Sequence, residues 1–194
     1  MEDFQQALKT HIGDCSTLRP FVCEGSPLDC KVFIVGFNPA SNMDAGFWDF
    51  WRAGYGFDKA AWFDVYRYER RVKPLSPGKK RRTAVSRTRR IIELIVAGAA
   101  PFKCLETNIY SLPTESAKQL AAADRDSAVF EFLLERVNPQ LIVAHGRDAQ
   151  DYLREKRPAA PVIEVRHFSA RGKDKPWTNA EACELGYEIK RRLG

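Results

Sequence analysis

Three short stretches hold side chains that could do chemistry: Gly36-Phe37-Asn38-Pro39-Ala40-Ser41, Glu106-Thr107-Asn108 and His167-Phe168-Ser169-Ala170-Arg171. Asn38 precedes Pro39, and a residue in that position is restricted to extended backbone geometry. Its amide cannot ionise, so it orients water but is no strong base. Asn108 presents an acceptor beside a donor pair. His167, as a neutral imidazole, can donate a hydrogen bond to an oxygen that is gaining negative charge. Each has a plainer reading. Asn-Pro opens turns, a strand-end asparagine bonds its own backbone, and a lone histidine is usually structural. The other histidines are His11 and His145. His145 falls at the end of an apolar run, where packing or a backbone bond is expected.

The elements that must position these residues follow from hydrophobic patterning. Short apolar runs at Val32–Gly36, 103–110, 141–146 and 161–168 read as strands. Helical spacing marks residues 2–12, 84–100, 126–136, 147–156 and 178–192. Thr178 with Glu181 three residues on forms a capping-box signature for the last helix. Strands alternating with helices predict one α/β domain over 1–194, a three-layer α/β/α sandwich with a central, mainly parallel four-stranded sheet. In such sheets ligands bind beyond the carboxyl ends of the strands, where all three polar stretches fall. Neither a G-x-G-x-x-G nor a P-loop pattern is present, so dinucleotide and P-loop nucleotide chemistry has no motif.

Composition narrows the partners. The chain has 194 residues, 44% of them hydrophobic, and a formal net charge of +6. A basic balance favours an anionic partner, nucleic acid first. Between Arg67 and Arg90 eleven lysines or arginines face one acid, Glu69. Such a run is often a solvated face, but here it spans a loop and a helix start, where free N–H groups also attract phosphate. Lys79, Lys80, Arg81 and Arg82 are its loop members. Cys15, Cys23, Cys30, Cys104 and Cys183 contain no C-x-x-C pair, so free thiols are expected and no metal. A polar start and no membrane-length apolar run predict an intracellular protein, cytoplasmic and at the nucleoid if bacterial.

Taken in order, the motifs resemble the uracil-DNA glycosylase superfamily. "VGFNPAS" is similar to the first active-site motif of its mismatch-specific and single-strand-selective branches. "ETNIYSLPTESAKQL" resembles the second strand of the mismatch-specific branch and its continuation, "IVAHGRDAQDYL" the next strand–glycine–helix unit, and "RHFSARG" the final His-Pro-Ser loop. Two positions depart from the pattern: Ala40 follows the proline where glycine is usual, and Phe168 replaces the proline of the last motif.

The resemblance implies a monofunctional DNA glycosylase. It would flip uracil or a related deaminated base out of DNA and hydrolyse its N-glycosidic bond, without a cofactor and as a monomer. Asn38 would hold the attacking water, and His167 would donate to O2 of the departing base. Asn108 would read N3–H and O4, with Gly36 and Phe37 beside it and Phe47 or Trp48 as the aromatic floor. Ser169, Ala170 and Arg171 would press into the minor groove. Two other readings stay open. One is a nucleic-acid-binding relative without catalysis. The other is a hydrolase of free nucleosides or nucleotides.

Overall fold

Hydrophobic runs buried on both faces make the centre of the structure, a computed structural model that describes residues 1–14, 17–40, 43–75, 78, 80–114, 117–171 and 175–194. In chain order the elements are α1 (Glu2–Ile12), β1 (Phe21–Val22), β2 (Val32–Gly36), β3 (Trp51–Arg52), β4 (Gly56–Phe57), α2 (Lys59–Val72), α3 (Arg87–Ala99), β5 (Cys104–Asn108), α4 (Ala128–Val137), β6 (Leu141–His145), α5 (Arg147–Lys156), β7 (Val162–Val165) and α6 (Asn179–Leu193). β2 and β6 are buried at every position. Such runs suit a parallel sheet covered on both faces.

The main sheet has the order β1-β5-β2-β6-β7. β5, β2, β6 and β7 run parallel, and β1 joins the edge antiparallel to β5. The four expected strands are therefore present, but among the described residues the sheet has five. β1 has two residues, too few to show a period. β5 and β7 are also shorter than expected. Beyond Val165 the chain leaves the sheet, and the carbonyl of Arg166 accepts from the Trp177 indole at 3.2 Å.

Alternate residues of the strands feed two cores. Phe33, Val35, Leu105, Ile142 and Ala144 pack with Phe4, Leu8, Phe130, Leu133 and Leu153 from α1, α4 and α5. Val32, Ile34, Cys104, Leu141 and Val143 pack with Ile91, Ile95, Leu185 and Ile189 from α3 and α6. Helices thus cover both faces. Thr178 caps α6 as its sequence indicates: its hydroxyl accepts from the Glu181 N–H at 3.1 Å, and the Glu181 carboxylate accepts from the Thr178 N–H at 2.7 Å. No helix among the described residues is long and apolar enough to cross a membrane.

The chain order of the parallel strands reverses about β2. The connection from β2 leads to β5 on one side, and the next one returns past β2 to β6. The crevice at such a switch point is where open α/β sheets bind ligands. Gly36 and His145 end the two strands that flank it.

Candidate functional site

A cavity of about 360 Å³ opens at this switch point. Its wall includes Asn38, Asn108, His145, His167 and Ser169, together with Phe47, Phe57, Trp62 and Tyr66. The three polar stretches singled out in the sequence therefore converge, although Asn38 and His167 are far apart in the chain.

The Asn38–Pro39 turn is locked by the loop after β5. Asn38 Nδ2 donates to Thr114 Oγ1 at 2.6 Å, and the Thr114 N–H donates to the Pro39 carbonyl at 3.0 Å. Asn38 Oδ1 meets no protein donor among the described residues, which leaves an acceptor for water. Asn108 ends β5, half-buried. Its side-chain amide has no hydrogen-bond partner among the described residues, so it does not bond its own backbone as the plainer reading expects.

His167 sits in a tight turn, with the Ala170 N–H donating to its carbonyl at 2.9 Å. Its Nδ1 accepts from the Ser169 N–H at 3.1 Å and lies 2.7 Å from the Ser169 hydroxyl. An Nδ1 that accepts from a backbone N–H leaves the ring proton on Nε2. Burial pushes the His167 pKa below its ordinary value, opposed by Asp148, so the neutral ring is favoured. Gly146 makes room beside it. Its φ is +90°, and a Cβ there would lie 2.8 Å from His167 Cδ2. Phe168, the departure from the last motif, is fully buried and points away from the cavity. It stacks on His145 at 4.2 Å and meets Trp177 edge-on at 5.4 Å.

Other expected contacts fall elsewhere. Trp48 lies outside the cavity, because its indole N–H donates to the Gly13 carbonyl at 2.8 Å. Phe37 also stands outside, edge-on to Tyr110 at 5.1 Å. Phe47 reaches the cavity but is 2% exposed and stacks on Phe57 at 5.3 Å, so it is chiefly a core residue. Gly36 lies between Asn108 and His145 and leaves the space that separates them.

Sequence reading missed a buried ionic network in the wall. Glu106 accepts from Lys59 at 2.9 Å and from Arg89, while Glu93 contacts the same two cations at 3.0 and 3.1 Å. The Arg89 guanidinium lies 4.6 Å over the Trp62 ring. Burial would raise the Glu106 carboxyl, but Arg89 and Lys59 outweigh it and hold it below its ordinary range. The available signal was the Arg89–Glu93 spacing of one helical turn. Arg19 was missed too. It donates to the Met43 and Ala45 carbonyls at 2.6 and 2.9 Å, yet its Nε and Nη1 are buried without partners among the described residues.

A second depression of about 640 Å³ adjoins the cavity and shares Arg70 and Ser86 with it. Arg70, Arg81, Arg82, Arg87, Arg90 and Arg171 line it, with no acid among its described lining residues. Ser86 and Thr178, the caps of α3 and α6, open onto it. The side chains of Arg81, Arg90 and Arg171 make no ion pair or hydrogen bond among the described residues. Arg82 differs from expectation: it donates to the carbonyls of Arg70, Lys73 and Pro74 at 3.2, 3.0 and 2.6 Å, which commits it to holding its loop. Lys80 is exposed and lies outside the groove lining. Lys79 lies outside the described residues. Among the described residues no group of three His, Cys, Asp or Glu is placed to hold a metal.

The fold and site define a class: an α/β protein with a mainly parallel sheet, a largely apolar cavity with a few convergent polar side chains at its switch point, and a basic groove alongside. Comparison with protein-family models and with curated proteins finds no match to the chain.

Proposed function

We propose that the protein is a monofunctional DNA glycosylase with a uracil-DNA glycosylase-like sandwich, acting on uracil or a related deaminated base. The observation that carries this reading is the meeting of Asn38, Asn108 and His167 in one cavity beside a groove whose described lining carries six arginines and no acid. A flipped base enters the cavity while the flanking phosphates lie in the groove.

Each group then has a task that its environment suits. Asn38 Oδ1 orients the attacking water. As the C1′–N1 bond breaks, its electron pair passes to the base, and His167 Nε2–H donates to the O2 oxygen where that charge gathers. Water adds to C1′ of the oxocarbenium-like sugar, and the proton it loses passes through solvent to the departing base anion, which leaves as the neutral base. Asn108 pairs with an N–H beside a carbonyl, the pattern of uracil and the reverse of cytosine. No lysine is among the described residues that line the cavity, so none is placed to form a Schiff base, and strand cleavage is not part of the proposed activity. Phosphate contact in the groove supplies affinity without sequence preference.

Arg19 favours one other reading. A pocket-lining guanidinium with unpartnered N–H groups suits the phosphate of a free nucleotide. A panel of labelled oligonucleotides carrying uracil, thymine mismatches, hypoxanthine or xanthine, in single- and double-stranded form, decides between them. Alkali-labile sites that form in DNA, and form less as salt rises, support the glycosylase. Base release from free nucleotides alone, insensitive to salt, supports the rival. A shifted oligonucleotide with no abasic site means a binding protein.

A further inference from the structure

His145 is a buried polar residue of the cavity wall to which the catalytic scheme gives no task. The sheet register places it in one row with Gly36 and with Asn108, which lines the same cavity. Gly36 pairs with Asn108 on one side, Val35 pairs with Ala144 on the other, and His145 pairs with Val165. Asn108, Gly36 and His145 therefore sit side by side on three adjacent strands and face the same way.

Asn108 and His145 lean together over the glycine. A Cβ on Gly36 would lie 2.6 Å from Asn108 Oδ1 and 2.8 Å from His145 Nε2. An acceptor and a ring nitrogen thus face one another across a gap that any side chain would close. They are not hydrogen-bonded to each other, and neither ring nitrogen of His145 has a partner among the described residues. His145 Nδ1 is fully enclosed. A buried N–H without an acceptor is costlier than a lone pair without a donor, so the proton belongs on Nε2, at the gap. The ring cannot turn away, because it is 8% exposed and lies against Phe168 and the His167 ring. Burial also lowers its pKa from 6.5 to about 3, which keeps it neutral.

We infer that His145 is a second base-reading residue, and that Asn108 Oδ1 and His145 Nε2–H together read a lactam edge, an N–H beside a carbonyl. This inference rests on the proposed glycosylase reading. The lactam N–H donates to Asn108, and the neighbouring carbonyl accepts from His145. Uracil, hypoxanthine and xanthine all present that edge, whereas cytosine and adenine do not. In uracil the carbonyl facing the histidines is O2, so its growing charge meets two imidazole donors. Phe168 thereby acquires a task as the ring that holds His145 in place.

The test uses His145→Phe, which keeps a stacking ring but has no donor, and His145→Gln, which restores an N–H. Single-turnover release from uracil DNA is expected to slow at least tenfold in His145→Phe and to recover in part in His145→Gln. With 5-fluorouracil, whose anion needs less stabilisation, the loss is expected to be smaller; a packing role would slow both bases alike. If the variants fail to fold, the imidazole nitrogen resonances of the wild-type protein decide, read while free uracil is added. Shifts at both His145 Nε2 and His167 Nε2 support the inference. Unchanged release in His145→Phe, equal losses with the two bases, or a His167 shift without a His145 shift overturns it while leaving the glycosylase reading intact. A wild-type protein that neither releases nor binds an oxo-base overturns both.

Discussion

Replacing Gly36 by alanine pushes on two cavity-lining side chains without changing a charge. The new Cβ would meet Asn108 Oδ1 at 2.6 Å and His145 Nε2 at 2.8 Å, where ordinary contact begins at 3.4 Å. The two side chains must retreat by about 0.8 and 0.6 Å respectively, the shortfalls from that limit. Asn108 ends its strand and can give way. His145 cannot, because Phe168 fills the space beside it at 4.2 Å. Overpacking of this kind costs about 1–3 kcal/mol. In a domain of this size each kcal/mol lowers the melting temperature by roughly 2–4 °C. The loss in rate should be larger in proportion, since misplacing a reacting group by about 1 Å costs on the order of a hundredfold. Single-turnover base release, DNA affinity and thermal melting are measured on the same preparation. The expected result is a melting point several degrees lower, unchanged affinity for undamaged DNA, and release slower by about two orders of magnitude. Wild-type release from a destabilised Gly36→Ala protein would refute the argument, because it would mean the base does not lie over Gly36.

Asn38→Ala should remove most base release while leaving DNA affinity near wild type, measured by single-turnover kinetics beside equilibrium binding. The triple change of Arg81, Arg90 and Arg171 to alanine should weaken binding equally for uracil-containing and undamaged DNA. It should also lower the slope of log affinity against log salt by about 0.9 per lost contact on duplex, or about 0.7 on a single strand. Arg82→Ala should instead lower the melting temperature, because it strips three carbonyls of their donor. Stability should fall as pH drops below 6.5. The unfolded chain protonates His145 there, whereas the folded chain resists until about 3. One such group contributes at most about 1.4 kcal/mol per pH unit. Chemical denaturation at pH 7 and pH 5 should show a shallower dependence in His145→Phe than in wild type.

The parts legible in the sequence were those whose signal is local. Val32–Gly36 and Leu141–His145 are unbroken apolar runs, and Thr178 with Glu181 writes out its own cap. The placement of Asn108 at a strand end, and of Asn38 and His167 just beyond theirs, was legible for the same reason, since a parallel sheet gathers those ends at one edge. What the sequence hid depends on pairing across the fold. β1 exists only because Phe21 and Val22 lie against Thr107 and Glu106. Lys59 and Glu106 are 47 residues apart and meet through α2 and β5. Trp48 sits close to the first motif in sequence, yet a carbonyl at the end of α1 draws it away. Arg82 looked like its neighbours in a charge run, but three inward-facing carbonyls set it apart. His145 read as a packing residue because its neighbours are apolar. Its exposure to the cavity depends on the residue beside it in the next strand being glycine.

The most direct measurement is mass-spectrometric detection of the free base released from an oligonucleotide with a single uracil, followed over time with the strand analysed before and after alkali. The account predicts that wild-type protein releases one uracil per oligonucleotide, leaves the strand intact until alkali is added, and leaves the cytosine control untouched, while Asn38→Ala releases almost none. Strand binding with no free uracil from the wild-type protein, or release that Asn38→Ala does not diminish, would contradict it.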